Sequence, residues 1–143
     1  MSAAEAVKAA GASGDALREA NFCEARALLA QSRRDEAFEL FQIVAGEPAT
    51  REGAESTYMI VQDLFDSGKY DRVESRVYDF AGKSGNQGYW LARCYIVLAE
   101  SFAARGNSAQ AKATLESIRD GYTPSSSGDD IQKLVAEKLA KLQ

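Results

Sequence analysis

Residues 89–122, YWLARCYIVLAESFAARGNSAQAKATLESIRDGY, contain two amphipathic helical runs on either side of Gly106. In the first, Trp90 to Arg105, the apolar residues Leu91, Tyr95, Leu98, Ala99 and Phe102 fall at helical spacings and share one face. Ile96 and Val97 widen that face, so the helix should touch neighbours on two sides. Gly106 stops the run, because glycine accepts the left-handed conformation that closes a helix C-terminus. Asn107 or Ser108 caps the next run by accepting a bond from an orphan N–H. That second run, Ala109 to Arg119, carries Ala111, Leu115 and Ile118 on one face, and Pro124 prevents its continuation. Helices joined by so short a turn lie antiparallel. The small side chains of Ala99 and Ala111 let them approach closely.

Upstream, the same arrangement recurs in weaker form. Asp15 to Gln31 reads as a helix with Leu17, Phe22, Ala25, Leu28 and Leu29 on its apolar side and Asp15 as N-cap. Ser32-Arg33 makes a turn, and a second helix from Arg34 to Ala45 turns Ala37, Phe38, Phe41 and Val44 inward before Gly46 and Pro48. Thr50 opens another pair. Its first helix carries Thr57, Ile60, Val61, Leu64 and Phe65 and stops at Gly68. Its second, Tyr70 to Lys83, buries Val73, Val77 and Phe80 before the break at Ser84-Gly85-Asn86. The turn markers Ser32, Gly68 and Gly106 stand at intervals of 36 and 38 residues.

The predicted fold is all-α: helical hairpins over 15–48, 50–84 and 87–124, and a C-terminal helix over 128–143. Ile131, Leu134, Val135, Leu139 and Leu142 form one apolar stripe on that last helix. Lys133, Lys138 and Lys141 take its other face and its C-terminal end, so it reads as a capping helix that covers the last hairpin. Residues 1–14 are small and Ala/Gly-rich, and are expected to be flexible or part of a frayed helix. So abrupt a start suggests a fragment of a longer chain.

The third pair resembles a tetratricopeptide repeat. The family's motif of bulky residue, Leu-Gly or Leu-Ala and aromatic, then Ala and a bulky residue, is held by Tyr95, Leu98, Ala99, Phe102, Ala111 and Leu115. Pro124 comes one residue late. Ala25, Leu28, Ala37 and Phe41 match in the first pair, where Glu24 and Ser32 replace the preferred Leu and Gly. The repeat intervals exceed the family's period of about 34 residues. This resemblance implies an α-α superhelix, a solenoid of antiparallel hairpins whose first helices line a concave protein-binding groove. Carried over residue by residue, that groove is formed by Phe22, Arg26 and Leu29; by Tyr58, Met59, Gln62 and Phe65; and by Arg93, Ile96, Val97 and Glu100. The set is largely apolar and suits a helical or extended apolar peptide better than an acidic tail. One branch of the family clamps a terminal carboxylate with Lys and Asn; Phe22, Arg26 and Tyr58 hold the matching places here, so that clamp is absent. The same 89–122 stretch resembles the last repeats of longer tetratricopeptide proteins of Bacteroidetes-type bacteria. Several of those look like cell-envelope scaffold proteins, so the resemblance tilts the expected location toward the cell envelope or periplasm over the cytoplasm.

Composition bears on the remaining classes. The chain has 143 residues, 45% hydrophobic, a net charge of −4 and no histidine. Without histidine the commonest general base and most nucleophilic triads are missing. No Cys/His cluster suggests zinc, no Gly-rich loop follows a strand, and no cofactor is expected. The mild negative charge gives no reason to expect nucleic acid. No apolar run reaches the roughly 18 residues of a membrane span, so no direct membrane insertion is expected. Cys23 and Cys94 are too far apart in the repeat order to be bridged. The expectation is a non-enzymatic module with a protein or peptide partner. The alternative is a self-association unit, a homodimer or a groove filled by its own chain.

Overall fold

The structure, a computed structural model, describes residues 14–142. Those residues form seven α-helices and no strand: α1 (Asp15–Ala30), α2 (Arg34–Val44), α3 (Arg51–Asp66), α4 (Tyr70–Ala81), α5 (Gly88–Ala104), α6 (Ser108–Gly121) and α7 (Ile131–Lys141). The N-terminal segment expected over 1–14 lies outside them except for Gly14. The chain divides after Ile60 into two compact units. α3 contributes its first ten residues to one and the remainder to the other.

Three of the helix-to-helix turns are built alike. Ser32, Gly68 and Gly106 have φ of 62°, 74° and 82°. Their N–H groups donate to Leu29, Phe65 and Ala103 carbonyls, each at 3.0 Å. The next N–H groups, of Arg33, Lys69 and Asn107, reach back to Leu28, Leu64 and Phe102 carbonyls, each at 2.9 Å. This double closure satisfies carbonyls that a helix end would otherwise leave orphaned. Arg33, Lys69 and Asn107 then act as the N-cap residues of α2, α4 and α6, with closely similar backbone angles. Only Asn107 adds a side-chain cap, accepting from Gln110 N–H at 3.1 Å. The residues around each turn repeat too. Ala25, Val61 and Ala99 before it, and Ala37, Val73 and Ala111 after it, are all buried. Phe41, Val77 and Leu115, then Val44, Phe80 and Ile118, follow at matching places and are also buried.

In the first unit α1 packs against α2. Phe22 meets Phe41 edge-on at 6.2 Å, with the Arg26 and Arg51 guanidinium groups 5.7 and 5.9 Å from the Phe22 ring. Asp15 is the first residue of α1 and not its cap: Gly14, at φ 65°, holds the cap position. The Asp15 carboxylate instead accepts from Arg18 at 2.8 Å. Arg18, with a side chain 10% exposed, also donates to Glu52 at 3.1 Å, tying α1 to the start of α3. Thr50 caps α3 by accepting from Gly53 N–H at 3.1 Å. A Cβ on Gly53 would fall 1.9 Å from the Glu47 carbonyl oxygen, so this close approach admits no side chain. Phe38 is half-buried rather than inward, edge-on to Phe41 beneath the Arg34 guanidinium.

In the second unit α5 packs against α4, α6 and α7, and α6 against α7. Breadth of apolar surface explains this, since α5 buries Ala92, Cys94, Ile96, Val97, Leu98, Ala99 and Phe102. Both cysteines are free, Cys23 exposed and Cys94 buried, where burial pushes its thiol pKa up and keeps it protonated.

Leu98 and Leu115 are each 1% exposed, so truncating either to alanine should cost about 2–5 kcal/mol in urea unfolding. An unchanged midpoint would mean that neither is part of the core. The turns make an opposed pair of predictions. Ser32→Gly should stabilise by up to about 1 kcal/mol, because serine is strained at positive φ. Gly106→Val should destabilise by about 1–2 kcal/mol or more, from the backbone alone, since nothing lies within 4 Å of a Cβ there. Thermal melts of both variants check this, and shifts of the same sign would contradict it.

Candidate interaction surface

The last helix, α7, packs on both α5 and α6. Ile131 and Val135, both 0% exposed, pack into one cluster with Ala92, Ile96, Ala99, Leu115 and Ile118. Polar contacts fix both ends of this seam. At the first, Arg93 donates to Asp130 at 3.1 Å, Tyr89 OH donates to Asp130 at 2.8 Å, and Arg93 also donates to the Tyr89 oxygen at 3.1 Å. At the second, Lys138 pairs with Glu100. Gln132 Nε2 donates to the Arg119 and Tyr122 carbonyls at 3.2 and 3.0 Å, satisfying the end of α6.

Asp129 organises the loop that delivers α7. Its carboxylate accepts from Ser125 N–H and Oγ–H, each at 3.0 Å, from the Tyr122 hydroxyl, and from Ile131 N–H at 3.0 Å. Desolvation pushes the Asp129 pKa up, but these bonds outweigh it and hold the carboxyl at about 2. The Tyr122 hydroxyl is pushed up to about 12, first by burial and then by its bond to Asp129. α7 therefore begins at Ile131 and not at 128. Asp130, though adjacent to the helix, gives no side-chain cap because Tyr89 and Arg93 engage its carboxylate.

A cavity of 300 Å³ opens beside the α5–α7 seam. Phe65, Ala99, Ala103, Leu115 and Leu142 give it an apolar wall, and Glu100, Lys138 and Lys141 give it charge. A second cavity of 540 Å³ lies between the start of α5 and the end of α6, against Leu91, Tyr95, Ile118 and Tyr122, and no charged side chain lines it.

The residues assigned to a groove by resemblance are placed as follows. In the first unit Phe22 is 3% exposed and belongs to the core; Arg26 is exposed; Leu29, Tyr58 and Met59 are half-buried. In the second, Gln62 is half-buried and donates to Asp66 at 3.0 Å. Phe65 is half-buried, its ring 5.6 Å from that of Tyr70. Ile96 and Val97 are 6% and 3% exposed. Arg93, Ile96 and Glu100 all come together beneath α7, and Phe65 and Glu100 share the 300 Å³ cavity. Lys138 does not belong to a solvent face: it is half-buried on Glu100. Sequence reading missed Lys138, Lys141, Leu142 and Ala103 as lining. The available signal was the spacing of Lys138, Lys141 and Leu142, which puts all three on one side of α7.

No family model, curated protein or solved structure matches the chain. Among the described residues, no group of His, Cys, Asp and Glu could hold a metal ion, and no helix is long and apolar enough to cross a membrane.

The Asp129 pKa sets a pH dependence. A carboxyl held below its unfolded value contributes stability that is fully present above about pH 4 and is lost as pH falls through about 2. The raised Tyr122 value acts at the other end: its contribution is present below about pH 10 and lost as pH rises through about 12. Asp129→Asn should therefore lower the urea midpoint at neutral pH, and the gap to wild type should close between about pH 4 and 2. A gap of constant size across that range would contradict the assignment.

Proposed function

We propose that this chain is a non-enzymatic protein-interaction module of the tetratricopeptide type, an α-α superhelix. It binds a helical or extended apolar segment of a partner protein in a concave groove. The observation that carries the reading is the thrice-repeated hairpin turn, with one hydrogen-bond pattern and one set of buried places at Ser32, Gly68 and Gly106. Repetition of a whole supersecondary unit is what repeat proteins display and what an unrelated bundle has no cause to keep. The absence of histidine from the sequence supports binding over catalysis. Half-buried Tyr58, Met59, Gln62 and Phe65 on α3 supply an adaptable, mostly apolar contact set, methionine in particular.

A second reading is favoured by a specific observation. Arg93, Ile96 and Glu100 already have partners in α7 or in Asp130 just before it, as they would in a unit that fills its own groove or associates with copies of itself.

A pull-down from lysate of the source organism separates the two when run beside light scattering. The variant is Met59→Glu, Phe65→Glu, checked by circular dichroism to stay folded. The interaction reading expects a monomer whose captured protein is lost with the variant. A dimer that the variant dissolves, with nothing else captured, would establish self-association in its place.

A further inference from the structure

The 300 Å³ cavity of the second unit has a chemistry narrower than an apolar groove in general. Its floor is recessed because Ala99 and Ala103 stand where larger side chains would fill it, between Phe65, Leu115 and Leu142. The volume is at the low end for ligand sites, enough for one side chain rather than a cofactor. Charge at the rim is unbalanced. Glu100 is neutralised by Lys138, whereas the Lys141 ammonium has no hydrogen-bond or ion-pair partner among the described residues and stands exposed at the mouth. A net positive rim is a local departure in a chain of net charge −4.

We propose that this cavity takes one aliphatic side chain of a partner peptide segment that carries a carboxylate beside it. The side chain seats against Ala99, Ala103 and Leu115, and the carboxylate meets Lys141. The proposal rests on the interaction reading above and names the partner's chemistry at one place within it. The two halves of the contact have different jobs. Apolar burial supplies most of the binding. The Lys141 contact, solvent-exposed, selects by about two- to fivefold between acidic and basic segments.

The test uses the full chain, isotope-labelled, and follows amide signals of residues 99–103 and 138–142 by NMR. The probes are short alanine-based helical peptides with a single leucine flanked by glutamates, the same with flanking lysines, and the glutamate peptide with leucine replaced by alanine. The Glu-flanked peptide should bind about two- to fivefold more tightly than the Lys-flanked one, and loss of the leucine should abolish the shifts. Lys141→Glu, an exposed substitution that leaves the core untouched, should reverse the preference. Ala103→Trp should fill the cavity and remove binding of both leucine peptides. Equal binding of the acidic and basic peptides, or an order unchanged by Lys141→Glu, would overturn the proposal while leaving an apolar anchor site intact. Decanoate displacing the acidic peptide at lower concentration than any peptide would overturn it as well, making a free acyl chain the occupant. Absence of any shift at these amides overturns it outright, and the interaction reading then stands or falls on the pull-down.

Discussion

A left-handed residue at Ser32, Gly68 and Gly106 is the constraint on which the other features depend. Once φ turns positive there, two N–H groups fold back on the last carbonyls of the preceding helix. The next residue already has the backbone angles of an N-cap. Nothing is left over for a loop, so α2 folds back on α1 and α6 on α5. Their apolar stripes then face each other, and close approach falls to the residues nearest the turn. Alanine at 25, 37, 99 and 111 meets that demand. The bulkier Phe41, Val44, Phe80, Leu115 and Ile118 fill the space further out. Two hairpins obtain the left-handed residue at no steric cost from glycine. The first uses serine and accepts some strain.

The last helix solves a different problem. α5 is apolar on more than one side, and α6 covers only part of it. α4 covers another part and Ile131 and Val135 a third, while Asp130 and Lys138 set the position of α7 through Arg93, Tyr89 and Glu100. Ion pairs this exposed add little stability each. Their effect is on register, with the buried seam supplying the energy. Covering α5 in this way also defines what remains open beside it. The 300 Å³ cavity exists because small residues on α5 face the end of α7 without filling the gap. Packing of the second unit and its candidate binding chemistry thus come from the same few residues.

Much of the helical layout was legible because it rests on local rules. Gly68 and Gly106 announce their turns, Asn107 its cap, and Pro124 the end of a helical run. Ser32 was legible only by its place in the series, since serine alone does not signal positive φ. What escaped was whatever depended on contacts that helical periodicity does not show, within loops as well as between distant residues. Arg18 carries no local signal of its bond to Glu52, 34 residues further on. Gly53 carries no local signal of the close approach of the Glu47 carbonyl. Asp129 reads as a favourable charge at a helix start, whereas it binds Tyr122, Ser125 and Ile131 together. Phe22, Ile96 and Val97 were assigned to a groove by the resemblance, whereas they are buried, as their places on the apolar faces of α1 and α5 already indicated.

Amide hydrogen exchange at Arg33, Lys69 and Asn107 tests the repeated turn most directly, because each N–H is the one that reaches back across the left-handed residue. Clear protection is expected at all three, Arg33 included despite the serine before it. Protection at Lys69 and Asn107 with loop-like exchange at Arg33 would show that the first hairpin is not built as the others are, and the three-fold repetition would fail.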